Sequence, residues 1–588
     1  MRFGPKPLGH GTRFELWAPD AASVTLVADG KETPMTRHSG GWFAADTTLG
    51  PGTAYRFALP DGLVVPDPAA RQQEVAVHGS SLVPGPLAVD TGWRGRPWAE
   101  TVLYELHLGT FTVGGTLEAA AQELPALAEL GITAVELMPL AAYSGSRGWG
   151  YDGVLPYAVQ NSYGTPEDLA AFVAEAHRLG LMVFLDVVYN HFGPDGNYLG
   201  AYAKGFFRDD ITTPWGPAID FREPAVRRFV IENALYWLDT FGIDGLRLDA
   251  VHAIHDGSER HILSELAEAV RDHFGDARHI HLVLENDDNN ATFLGGAYDA
   301  QWNDDYHHVA HVIATGEDDG YYSDYTDDPL GLLLKSLTSG FVYQGEPSAH
   351  RDGERRGQKS GHLGPQAFVN FIQNHDQIGN RAMGERLTRL AAPEAVQALQ
   401  ALLLTSPQVP MFFMGEEWGA ETPFLFFCDF EGELADAVRE GRRDEFAKFK
   451  SFADPALRER IPDPLDPRTM TASRLDRADL QKPEHAAWRA MIAELLRIRR
   501  DEIVPGLAGM APDARTRRFG GRGFSIAWQL ADGRTLELQA NLGSTPLDGM
   551  PKPEGRVVWH TPGTDPASRS RQAWSVVVAI EAAGEAGR

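Results

Sequence analysis

The sequence predicts an α/β protein, a (β/α)8 barrel flanked by an N-terminal β-sandwich and a C-terminal all-β domain. Three observations carry that expectation. Both ends of the chain fall into short segments of alternating apolar and polar residues, cut by Gly, Pro and Asp. Between them, eight apolar runs mostly alternate with amphipathic helical stretches, the rhythm of a parallel α/β unit. Runs such as VFLDVV, HLVL and FVNFI are continuous, as strands covered on both faces must be. A barrel with long loops holds roughly 400 residues. The expected domains are therefore 1–98, 99–504 and 505–588.

In order along the chain, FELWAP, SVTLVADG, GWFAAD, YRFAL and GLVVPDP read as the strands of the sandwich, and DTGWRGRPWAE (90–100) as a linker. TVLYELHLG is the first barrel strand. TLEAAAQELPALAELG follows as one helix stopped by Gly131, then strand ITAVELMPL. TPEDLAAFVAEAHRLG has Thr165 as N-cap, Pro166 at the first helical position and Gly180 past the end. Strand LMVFLDVVYN, helix EPAVRRFVIENALYWLDTFG, strand GLRLDAVH, helix SERHILSELAEAVRDHF and strand HLVLEND come next. DAQWND, AFVNFIQNHD and PMFFMGEEW complete the eight. FSIAWQL, LELQANLG, RVVWH and AWSVVVAI form the last module, and the tail EAAGEAGR is expected to fray.

Composition narrows the partners. Of 588 residues, 53 are Lys or Arg and 81 Asp or Glu, a formal charge of −28. Such a chain repels phosphate backbones and anionic lipid, so neither nucleic acid nor a membrane is an expected partner. A hydrophobic content of 43% is enough for a large core and excludes wholesale disorder. The lone cysteine, Cys428, cannot form an internal disulfide. MRFGPKPLGHG carries no apolar stretch of a signal peptide, and no apolar run approaches the ~20 residues of a membrane span. A cytoplasmic protein is expected.

The chemistry gathers at strand ends, where barrel active sites lie. Asp186, Asn190 and His191 end one strand, and Arg247 and Asp249 lie two apart on one face of the next. Glu285 ends HLVLEND, and His375 and Asp376 end FVNFIQNHD. Singly, each has a plain structural explanation: a helix cap, an Arg247–Asp249 ion pair, a satisfied histidine. Jointly, a closed barrel aims all of them at one centre. Glycoside hydrolysis needs that set: a carboxylate nucleophile, a carboxylic acid for the leaving oxygen, and charge facing an oxocarbenium-like transition state.

These residues resemble a known family. DVVYNH (186–191), GLRLDAVH (245–252), LEND (284–287) and FIQNHD (371–376) are similar, in order, to the four short regions of the α-amylase family of retaining glycoside hydrolases. The resemblance covers roughly residues 100–500, and the N-terminal sandwich resembles the glycogen-binding-type module that precedes such barrels. It implies Asp249 as nucleophile, Glu285 as general acid/base and Asp376 as transition-state stabiliser. Arg247, His191 and His375 would contact the sugar before the cleaved bond or hold the nucleophile. Tyr151, in GWGYDG, would be the platform for that sugar, the alternative being a core aromatic. Gln377 and Asn380 join the expected substrate-binding set.

Physical expectations accompany these roles. Arg247 should keep Asp249 ionised. Glu285 should stay protonated if two other carboxylates sit near it. Retention requires the Asp249 and Glu285 carboxyls to lie about 5–5.5 Å apart.

PDPAARQQ (66–73), VHG (77–79), TPFLFF and His252 resemble the branch of the family that acts on malto-oligosyltrehalose. That branch cleaves the α-1,4 bond next to a terminal trehalose. The expected partner is therefore malto-oligosyltrehalose or a related α-1,4-glucan. DAQWNDDYHH and FMGEEW are shared with glucan branching enzymes, so α-1,6 branch formation is the alternative. A non-catalytic glucan-binding protein is a remote one, since all three carboxylates are present. His307, His308 and His311 are expected to line the subsites that read the trehalose end. The His307/His311 spacing also fits a metal pair, but no third ligand stands at a recognisable spacing. EDDGYYSDYTDD (317–328) lacks calcium-loop order, and no nucleotide fingerprint occurs. No metal or cofactor is expected.

Overall fold

A computed structural model describes residues 1–88, 92–446 and 458–583. Eight parallel strands close into a barrel: β1 (Leu103–Leu106), β2 (Ala134–Leu137), β3 (Met182–Val187), β4 (Gly245–Leu248), β5 (His281–Leu284), β6 (Ala300–Trp302), β7 (Phe368–Asn370) and β8 (Val409–Phe413). Seven lie within the runs that the sequence marks as strands, and β8 begins one residue before its run, at Val409. β8 pairs with β1 through Met411 opposite Leu103, which closes the ring. Every residue of β1–β5 is buried, since helices cover the outer faces. Leu103, Ala134, Met182, Phe184, Val283 and Met411 fill the interior below the strand ends.

The N-terminal residues form two antiparallel sheets, of four and five strands. The C-terminal module is a five-stranded antiparallel sheet with a small two-stranded one. Among the described residues no helix is long and apolar enough to cross a membrane.

Helix α1 (Pro166–Arg178) starts as expected: Thr165 and Asp168 form a reciprocal capping box, Pro166 opens the helix, and Gly180 takes a positive φ of 77° beyond its end. Three expectations need correction. The segment 116–131 is two helices, Leu117–Ala121 and Leu124–Leu130, because Pro125 cannot donate a hydrogen bond to the carbonyl four residues back. α3 (Ile262–Phe274) begins four residues later than its periodicity implies, since Asp256 accepts from the Ser258 and Ile262 amides and holds a turn there. α2 (Pro224–Leu235) lies between β3 and β4 and ends in a wider turn over Tyr236–Thr240.

The stretch 92–100 is not a free linker. Trp93 stacks on His177, and its indole donates to Asp244 at 2.7 Å; Trp98 donates to the Gln366 carbonyl. Both pack against the barrel interior from the strands' amino ends. Residues 90 and 91 lie outside the described residues, as does the expected frayed tail from 584 onward; Glu581 still ends the last strand.

Asp244 is the anchor of this closed end. Its carboxylate accepts from Trp93, Arg278 (3.2 Å), His177 (2.9 Å) and the Val183 amide (2.9 Å), and it is fully buried. Removing one partner of such a buried pair strands the others and costs about 3–5 kcal/mol. Asp244→Ala is expected to lower the urea midpoint of the barrel, followed by tryptophan fluorescence, by that order of free energy.

Candidate active site

At the carboxyl ends of the strands a cleft of about 390 Å³ opens. Its floor is built by alternation: Asp186 near the end of β3 and Arg247 in β4 point inward, and Asp249 and Glu285 stand one residue beyond β4 and β5. The Arg247 guanidinium lies 4.1 Å above the Trp302 ring and is buried. Its Nη1 donates to Asp186 (2.7 Å) and Asp249 (2.9 Å), and its Nη2 stands 3.6 Å from Glu285. Asn190 reaches the other Asp249 oxygen at 3.3 Å.

A turn sets Glu285 against Asp249. Ala250 adopts a left-handed conformation, φ 40° and ψ 49°, which a residue with a Cβ takes only at some cost. Its amide then donates to Glu285 Oε2 at 2.6 Å. Burial pushes the Glu285 carboxyl well above the usual carboxylate range; Arg247 and the Ala250 amide oppose, while Asp249 and Asp304 add to the rise. The expectation of a raised acid thus holds with a different leading cause, burial, and the two carboxylates that add to it are Asp249 and Asp304.

A proton-bearing chain borders the other side. Tyr151 donates to Asp186 at 2.7 Å and lies 2.9 Å from His375 Nε2, with the two rings stacked at 5.1 Å. His375 Nδ1 meets Glu105 Oε1 at 2.5 Å, and Glu105 Oε2 accepts from the His375 amide. Burial alone would lower the His375 pKa, but the Glu105 carboxylate outweighs it and holds the imidazole above its ordinary value. An imidazolium donating to Glu105 and to the Tyr151 oxygen leaves the tyrosine proton for Asp186. Asp186 itself is pushed up to about 6 by burial, with Arg247 opposing. Replacing Glu105 by Gln removes the anion and leaves burial to act. Glu105→Gln is expected to move the titration of the His375 imidazole, followed by NMR, to lower pH and to reduce kcat/KM about tenfold, of the order of one charge-assisted hydrogen bond.

The other expected residues divide. His191, whose Nε2 lies 3.0 Å from the Tyr151 carbonyl, stacks under the exposed Trp215 and lines the cleft. Burial lowers its pKa. Asp376 is exposed on a short helix, its amide held by Asn374 and its Oδ1 accepting from Asn380 at 2.7 Å. Gln377 donates to Asp304 at 3.2 Å, and His252 sits at the rim, accepting weakly from the Asp287 amide.

Of the three histidines on α4 (Asp304–Thr315), only His308 lines the cleft. His307 is spent on the Ile372 carbonyl and Tyr322, and His311 on Glu317 and a face-to-face Tyr322. The expectation that all three line subsites fails for these two. His307 and His311, four apart, share one side of the helix and His308 stands about 100° round from His307, so spacing alone left all three eligible for one wall; packing decides which of them is wet.

Sequence reasoning passed over Glu105, Trp302, Asp304, Arg351 and Arg356. Glu105 had a signal, a lone charge inside the apolar run TVLYELHLG. Arg351 and Arg356 had none, coming from an irregular excursion between α4 and β7. There Arg356 grips Asp287 and Asp305, and Arg351 grips Asp287 and Asp288, fastening that excursion to the loop after Glu285.

Comparison with known proteins agrees with this architecture. The alpha-amylase catalytic-domain family matches residues 90–204, carbohydrate-binding module 48 (isoamylase N-terminal domain) matches 2–67, and a domain of unknown function, DUF3459, matches 512–578. The malto-oligosyltrehalose trehalohydrolase of Deinococcus radiodurans is 45% identical over 506 residues, 85% of this chain and 83% of its own. That of Rhizobium sp. (strain M-11) is 42% identical over 561 residues, 90% and 92% of the two chains. A 1,4-alpha-glucan branching enzyme of Bacillus caldolyticus is 36% identical, but over only 41% of each chain. A crystal structure from Salmonella typhimurium superposes with a TM-score of 0.94 at 43% identity, covering 99% of both chains. Pullulanase from Paenibacillus barengoltzii, at 19% identity and a TM-score of 0.70, shares the fold. The chain is a glycoside hydrolase and belongs to the malto-oligosyltrehalose trehalohydrolase family, within the α-amylase fold group.

Proposed function

We propose that this enzyme hydrolyses the α-1,4 bond next to the terminal trehalose of malto-oligosyltrehalose and releases trehalose, in the cytoplasm, by double displacement. Asp249 attacks the anomeric carbon while Glu285 gives its proton to the leaving oxygen. The resulting Glu285 carboxylate then takes a proton from water, whose oxygen displaces Asp249 and restores both groups. Asp376 holds hydroxyls of the reacting sugar, and Tyr151 and His375 form the face against which that ring rests. Arg247, His191, Gln377 and Asn380 line the same path, with His252 and His308 toward the leaving side.

One observation carries the reading: a single guanidinium pairs closely with Asp249 at 2.9 Å and more loosely, at 3.6 Å, with a half-buried Glu285. That asymmetry gives the cation to Asp249 and leaves Glu285, held above the usual carboxylate range by burial, as the acid, the division of labour a retaining glycosidase needs. The choice of substrate rests on the relatives' names and on their near-complete overlap with this chain. The partial branching-enzyme relative keeps α-1,6 transfer as the second reading. Incubation with malto-oligosyltrehalose and product analysis decides between them. Free trehalose is expected; new α-1,6 branches on amylose without trehalose would sink the first reading.

A further inference from the structure

Asp304 is the cleft carboxyl that the catalytic set leaves unused. It is the first residue of α4, separated from the end of β6 by one residue. In the closed strand order, β6 lies between β5, which leads into Glu285, and β7, which leads to Asp376. The side chain therefore stands between the acid and the third carboxylate, on the far side from β3 and the Tyr151 loop. With Tyr151, His191 and His375 around the reacting sugar, that far side is where the leaving sugar sits once Glu285 protonates its oxygen.

The partners of Asp304 set it apart from its neighbours. Asp249, Asp287 and Asp305 each ion-pair with an arginine. Asp304 is only 9% exposed, yet among the described residues its one hydrogen bond is from Gln377 to Oδ1, and no Arg or Lys forms an ion pair with it. Its Oδ2 is therefore left to the cleft. Burial pushes this carboxyl up to about 7; Asp287, Asp376 and Asp305 add to the rise, and Arg356 opposes it. A nearly buried carboxyl without a cation is costly unless something hydrogen-bonds it. The donors that fit a neutral-substrate cleft are sugar hydroxyls.

From this placement we infer that Asp304 reads the leaving side of the substrate, its free carboxyl oxygen accepting hydroxyl hydrogen bonds from the glucose unit that departs with the leaving oxygen. The inference rests on the hydrolase reading above and adds a specificity-determining residue to it. Gln377 then acts as a positioning residue, fixing Oδ1 so that Oδ2 stays turned to the cleft.

The test compares substrates with and without a sugar on that side. Malto-oligosyltrehalose and maltoheptaose place glucose there, whereas α-maltotriosyl fluoride leaves as a fluoride ion. Asp304→Asn keeps the shape and removes an uncompensated buried carboxyl, so its melting temperature should be no lower than the parent's. On the glucans kcat/KM should fall roughly 10- to 100-fold, the range of a charge-assisted hydrogen bond. On the fluoride it should change less than about twofold, well inside that range. Because Asp304 also raises the Glu285 carboxyl, a second readout is needed: inhibition of the fluoride reaction by free glucose and trehalose should weaken in Asp304→Asn, which altered acidity of Glu285 alone would not cause. Equal losses on glucans and fluoride, no loss on the glucans, or unchanged inhibition by both sugars overturn the inference. If the parent enzyme releases no trehalose, the hydrolase reading fails separately, and the maltoheptaose-to-fluoride ratio still judges Asp304.

Discussion

Asp249→Asn is expected to lower kcat by about four orders of magnitude or more, the scale seen when a nucleophile is removed from a covalent catalyst. Glucan binding should survive it. The amide is isosteric, and Arg247 keeps its 2.7 Å bond to Asp186 and its place over Trp302, so the floor of the cleft is retained. Single-turnover kinetics combined with titration calorimetry on the same preparation measure both quantities. A variant with full activity would show that the covalent bond forms elsewhere. A variant that loses binding as well as turnover would show that the negative charge at Asp249 organises the cleft rather than the chemistry.

Glu285→Gln has the next largest effect, about 10²- to 10⁴-fold on glucans, the usual contribution of a positioned general acid. Glutamine keeps the hydrogen bond to the Ala250 amide but cannot protonate the leaving oxygen. The loss should therefore shrink on substrates whose leaving group needs no proton. The pH dependence gives an independent readout. Burial first, then Asp249 and Asp304, hold the Glu285 carboxyl protonated above the usual range. A raised acid keeps its proton as pH rises and loses it only on passing its folded-state pKa, so the parent's alkaline limb should be flattened in the glutamine variant. A limb unchanged by the substitution would assign the essential proton to another group, with His375 the next candidate.

The barrel was legible because eight continuous apolar runs cannot be covered on one face only; burial on both faces is what β1–β8 show. The four polar clusters were legible because each follows a strand, and strand ends in a closed barrel converge. Pattern failed where local rules were outvoted. Pro125 broke a helix that apolar periodicity ran straight through, and Asp256 held a turn where the helical pattern had already begun. The supposed linker carries Trp93 and Trp98, which are apolar enough to seal the amino end of the barrel.

The sequence by itself determined the architecture, the family and the three candidate carboxylates, because these depend on residue type at regular spacing. Only the tertiary structure decided which neighbours each carboxyl meets. Glu105 reaches His375 across 270 positions, Arg351 reaches Asp287 across 64, and His307 and His311 turn away from the cleft that His308 faces. The charge of −28 said nothing of these pairings. Protonation in the site follows from burial and from side chains within about 4 Å, distances over which Coulomb interactions and desolvation dominate, and chain closure alone brings such groups together.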